Sequence, residues 1–67
     1  MLELTTRRYD DTYFEVCHVT KQGTHVSLKG LYRTEQKANS ALTGILEHCL
    51  TDRELPPEQA VTRLYHR

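Results

Sequence analysis

The sequence predicts an α+β fold: a three-stranded antiparallel β-meander packed on one face by a single α-helix (βββα), with a short C-terminal helix or edge strand. Three observations carry this. Residues 2–7 alternate with a period of two and residues 12–20 are rich in β-branched and aromatic side chains, both signs of strands. Between Ala38 and Leu50 the apolar spacing changes to i, i+3, i+4, i+7, one stripe of a helix. Pro56-Pro57 then interrupts the pattern and opens a further short element.

The first strand, about 2–8, alternates Leu2, Leu4 and Thr6 with Glu3, Thr5 and Arg7. Tyr9-Asp10-Asp11 forms the expected turn, because short acceptor side chains bond nearby backbone amides. The second strand, about 12–20, is rich in β-branched and aromatic residues, which suit a pleated surface. Lys21-Gln22-Gly23 closes it as a three-residue hairpin loop with Gly in the left-handed conformation. The third strand runs back over about 24–30. Loop length fixes the register. Three residues place His18 opposite Val26, Val16 opposite Leu28 and Glu15 opposite Lys29; two would scatter the apolar residues over both faces. The same test puts Leu4 opposite Val16. The expected core face is Leu2, Leu4, Phe14, Val16, Val26 and Leu28. The expected outer face is Glu3, Thr5, Arg7, Tyr13, Glu15, Cys17, Val19, His25, Ser27 and Lys29.

The helix is expected over about 34–50. Thr34 is a good N-cap, and Glu35 places a carboxylate where the helix dipole favours it. Ala38, Ala41, Leu42, Ile45, Leu46, Cys49 and Leu50 form the stripe that covers the sheet. In the segment 57–65, Pro57 followed by Glu58 and Gln59 is a helix-start signal, and Ala60, Val61, Leu64 and Tyr65 keep helical spacing. The alternative is an edge strand over Val61 to Tyr65.

Sixty-seven residues make one small domain, 1–67. Such a chain buries only about 60% of its unfolded surface, so every large apolar side chain has to be used. Nine basic and nine acidic groups cancel, which removes the bulk attraction to phosphate that most nucleic-acid binders carry. No apolar run approaches the ~18 residues of a membrane span, and Met1 to Arg8 lacks the apolar core of a signal peptide. A cytoplasmic location and no membrane partner are the corresponding expectations. Two cysteines, Cys17 and Cys49, are too few for a disulfide framework. The adjacent pairs Cys17-His18 and His48-Cys49 do not have metal-ligand spacing, because neighbours on a strand point to opposite faces and neighbours on a helix diverge by ~100°. No metal and no cofactor are expected. Cys17 with His25 as a diagonal neighbour lacks an orienting third group and a concave site, and no Gly-rich phosphate loop is present, so no catalytic residue is expected.

Two surfaces remain. Tyr13, Val19, Tyr32, Leu64 and Tyr65 are candidates for protein contact, with a partner or in a homodimer, since Tyr-rich apolar patches with polar rims mark interfaces. Arg7, Arg8, Lys21, His25, Lys29 and Arg33, interleaved with Tyr13, are the alternative: a small nucleic-acid-binding module using the outer face of the sheet. The segment His25 to Leu42, with Tyr32, Thr34 and the spaced Ala38 and Ala41, resembles the strand–turn–helix joint of AP2-like and integrase N-terminal DNA-binding domains. That resemblance covers about a quarter of the chain. It implies the sheet-plus-helix topology and is shared by families that bind no DNA. The leading expectation is a small non-catalytic binding or regulatory protein acting through protein contact.

Overall fold

A computed structural model describes all 67 residues. Strands β1 (Leu4–Arg8), β2 (Phe14–Val19) and β3 (His25–Ser27) form an antiparallel sheet in the order β1-β2-β3. Helices α1 (Glu35–Thr51) and α2 (Pro57–Tyr65) follow. The α+β fold is the expected one, with α1 lying across β1 and β2 and α2 packed against α1. Neither helix is long and apolar enough to cross a membrane.

The β2–β3 hairpin has the anticipated register, with His18 opposite Val26 and Thr20 donating to the Thr24 carbonyl at 2.9 Å. Gly23 in its loop has φ +82°. The β1–β2 register differs by two residues: Leu4 stands opposite His18, not Val16. The reason lies in the turn. Asp10 accepts from the amides of both Thr12 and Tyr13 at 2.8 Å, and Tyr9 donates to the Tyr13 carbonyl, so the loop is Asp10-Asp11-Thr12. A shift of two leaves every side chain on its expected face.

The third strand is shorter than 24–30. Leu28 still donates to Val16, but Lys29 and Gly30 then step out of the ladder, with Gly30 at φ +101°. Tyr32 rejoins it by exchanging both backbone bonds with Phe14. Lys29 is therefore not opposite Glu15; Arg7 is.

Helix α1 starts where expected. Thr34 accepts from the Lys37 amide at 3.1 Å. Its stripe buries Ala38, Ile45 and Cys49, with Ala41, Leu42 and Leu46 half-buried, while Leu50 is 55% exposed because the sheet does not extend beneath the last turn. Leu2, Val16, Leu28, Ile45, Cys49, Ala60 and Val61 make one core. Leu4 packs against this core, half-buried; Phe14 and Val26, expected in it, are half-buried without joining it, and the Phe14 ring lies under the Arg8 guanidinium instead.

Of the two alternatives for the last segment, the helix is realised and the edge strand over Val61 to Tyr65 is not. Residues 57–65 are helical, with Pro57 at the first position. The chain then turns so that Lys29 donates to the Tyr65 carbonyl at 2.7 Å and Arg67 donates to the Ser27 carbonyl at 3.1 Å. His66 thus forms a short antiparallel bridge beside Leu28.

Candidate functional site

The outer face of the sheet carries no helix, yet its centre is dry. Cys17 and Glu15, both expected to face solvent, are buried. Long side chains supply the missing layer, burying their stems while their charged heads reach partners. Arg7 gives its Nε to Glu15 Oε2 at 3.0 Å, and a terminal nitrogen of Arg67 lies 3.6 Å from Oε1. Burial pushes the Cys17 thiol pKa up and the Glu15 carboxylate adds to the effect, with Arg7 opposing it. Such a thiol stays protonated at neutral pH and is a poor nucleophile.

Three guanidinium groups lie over aromatic rings near the β1–β2 turn: Arg8 over Phe14 at 4.9 Å, Arg67 over Tyr9 at 5.2 Å and Arg33 over Tyr13 at 5.5 Å. Of the basic candidates, Arg7, Arg8, Lys29 and Arg33 gather at this end of the meander. Lys21 and His25 lie at the other, around the β2–β3 turn. The protein-contact candidates are also divided. Tyr13 and Val19 are half-buried on the outer face. Tyr32 and Tyr65 pack against the core on the helix side, Tyr65 with its hydroxyl bonded to His48 Nδ1, and only Leu64 is well exposed, at 42%.

The edges of the sheet differ more sharply than its faces. In β1 the odd residues turn their amides and carbonyls toward β2: Val19 donates to Glu3, and Tyr9 donates to Tyr13. Leu4, Thr6 and Arg8 therefore aim theirs away from the sheet, as ladder alternation requires. Among them, the Thr6 carbonyl accepts a long hydrogen bond from the Thr5 hydroxyl at 3.4 Å. On the far edge, the corresponding groups of Ser27 and Lys29 are taken by Arg67 and Tyr65. One edge is closed by the chain's own tail and the other is open.

Helix α1 lies beside the open edge. Thr6 Oγ1 lies 3.4 Å from Asn39 Oδ1, which puts Asn39 on the β1 side of α1. Thr43, Leu46 and Leu50 follow at i+4, i+7 and i+11, so the row beginning beside Thr6 ends on exposed Leu50.

A further feature escaped the sequence. His18 Nδ1 and His66 Nε2 are 3.0 Å apart, one donating and the other accepting. Burial lowers the His66 pKa, and His18 lowers it further. Beside them an open cleft of about 550 Å³ runs between the β2–β3 turn and α2, lined by His18, Lys21, Leu55, Glu58, Thr62 and Arg63 among others. Its walls are polar and mixed in charge, with Leu55 alone hydrophobic. Ligand sites are predominantly apolar with a few placed polar groups, so this cleft is a weak small-molecule pocket. No three His, Cys, Asp or Glu side chains come together as a metal cluster.

Comparison with protein-family models, curated proteins and solved structures gave no match.

Proposed function

We propose that this chain is a small non-catalytic binding protein that works by protein–protein contact, with β1 as its docking element. The observation that supports this best is the asymmetry of the edges. Unpaired amides and carbonyls along a strand are a template for another strand, and proteins normally shorten, charge or cover such an edge. Here β3 is covered by Tyr65 to Arg67, whereas β1 is left open. Addition of a partner strand to an exposed edge draws affinity from main-chain hydrogen bonds and specificity from alternate side chains.

The test is affinity capture with the wild-type chain and Thr6→Pro side by side. Proline at position 6 removes an amide that faces away from β2, so the internal ladder is kept while the docking edge loses a donor. The proposal expects a protein held by the wild type and released by Thr6→Pro, with both chains giving the same circular dichroism spectrum. Equal retention by both would refute it.

A nucleic-acid module remains the second reading, favoured by the three guanidinium–aromatic stacks, which present π-faces and positive charge together. Two of the nearby guanidinium groups, Arg7 and Arg67, already face the Glu15 carboxylate, and this weakens it. A mobility shift with single- or double-stranded DNA or RNA at low salt, lost in Arg8→Ala/Arg33→Ala, would support it; no shift would eliminate it.

A further inference from the structure

We infer that the strand that docks on β1 is β1 of a second copy, in an antiparallel two-fold pair centred on Thr5, giving a continuous six-stranded sheet. This rests on the proposal that β1 is a docking edge and adds the occupant and its register.

The register follows from parity and charge. Only Leu4, Thr6 and Arg8 aim backbone groups outward, so they must pair with the same set in the other copy. That allows a two-fold axis through a residue and excludes one between residues. An axis at Arg7 sets Arg7 against Arg7, which is repulsive. An axis at Thr6 sets Arg7 against Thr5 and opposes no charges. An axis at Thr5 sets Arg7 directly opposite Glu3 of the second copy, twice by symmetry, with Thr5 against Thr5. Opposite charges and Thr–Thr are both favourable cross-strand pairs. These are non-hydrogen-bonded pairs, where side chains approach closest, with Cα atoms about 4.5 Å apart.

The groups involved are free to do this. Glu3 is exposed, and no side chain of the chain bonds or ion-pairs with its carboxylate. Arg7 binds Glu15 through Nε, leaving its terminal amino groups for a second carboxylate. On the opposite face, the Asn39-to-Leu50 rows of the two α1 helices flank the seam. Because α1 lies across β1 and β2, its axis is about one strand spacing of ~4.8 Å from the seam, so the two helix axes would be about 10 Å apart, at the upper end of the ~8–10 Å at which helices pack.

The experiment combines sedimentation equilibrium over a wide concentration range with disulfide trapping. The wild type is expected to dimerise reversibly, Thr6→Pro to remain monomeric, and Glu3→Lys, which replaces attraction by repulsion at both symmetric pairs, to weaken dimerisation about tenfold at low salt. For trapping, Thr5→Cys is made in a Cys17→Ala background, because Cys17 stands beside position 5 within the chain. Mild oxidation should link two chains through position 5, whose Cα separation suits a disulfide, and link Thr6→Cys in the same background far less. A wild type that stays monomeric at every concentration overturns the inference while leaving the docking edge open to a different protein. A dimer that survives Thr6→Pro, or that traps through position 6 in preference to 5, overturns it too.

Discussion

The three glycines occupy three different environments, and replacing each by alanine separates the forces acting on them. Gly44 lies inside α1 with nothing within 4 Å of an added Cβ. Alanine there raises helix propensity and restricts the unfolded chain, a gain of about 0.5–1 kcal/mol. Gly23 has φ +82° and also open space around it. Alanine must accept a left-handed backbone, at about 1 kcal/mol. Gly30, at φ +101°, carries the same kind of strain and a second cost, since its Cβ would sit 2.8 Å from the Tyr32 hydroxyl oxygen and 3.2 Å from the ring carbon bearing it. The ring packs against the core, so moving it disturbs that packing as well. The sum is about 2–3 kcal/mol for an off-conformation residue plus an overpacked contact. For a domain of this size each kcal/mol moves Tm by roughly 4–8 °C. Thermal melts followed by circular dichroism, at one low protein concentration, should show Gly44→Ala rising a few degrees, Gly23→Ala falling about 6 °C and Gly30→Ala falling about twice as far. Equal losses at positions 23 and 30 would mean that the Tyr32 contact plays no part, and a lower Tm for Gly44→Ala would contradict its placement in an open helix face.

Leu28→Ala empties the most enclosed large side chain, at 0% exposure, and should cost about 2–5 kcal/mol, comparable with the whole stability of so small a core; loss of the cooperative urea transition is the expected readout. Thr34→Ala removes the α1 cap and should cost about 1 kcal/mol by the same measurement. Because the folded His66 pKa lies below its ordinary 6.5, the unfolded chain takes the proton first, so stability present above that pH is lost as pH falls through about 6.5 toward the folded value. Melts between pH 7.5 and 5 should show this decline, and His66→Gln should reduce it.

What could be read in the sequence was what local periodicity determines. The existence of β1 and β2, the Thr34 cap, the Ala38-to-Cys49 stripe and the three-residue Lys21-Gln22-Gly23 loop are short-range signals, and each is found in place. Burial, by contrast, does not alternate along β2, where Glu15 to His18 are all buried. The β1–β2 offset escaped because Tyr9-Asp10-Asp11 and Asp10-Asp11-Thr12 are equally good turn sequences; only the bonds from Thr12 and Tyr13 to Asp10 choose between them. The burial of Glu15 and Cys17 escaped for another reason. It depends on Arg67, fifty-two residues beyond Glu15, and no period links the two. The His18–His66 contact is equally long-range. Tyr13, Val19, Tyr32, Leu64 and Tyr65 stand out by residue type, which says where apolar area exists and not where it meets; backbone alternation in β1, already implied by the strand prediction, is what locates the unpaired edge.

One residue explains why a single edge is left unsaturated. Arg67 closes β3 with its amide, reaches the Leu28 carbonyl with its guanidinium at 3.0 Å, approaches Glu15 at 3.6 Å and lies over Tyr9. It therefore finishes the β3 edge and roofs the outer face in the same act. It can do so only on the side to which α2 delivers the chain. On the other side, α1 crosses the face of β1, with Asn39 against the Thr6 side chain and no bond to the edge amides. Strand pairing from outside the chain would satisfy the backbone groups that the tail does not reach, and in the proposed two-fold pair a second copy would supply the complementary charges of Glu3 and Arg7 by symmetry.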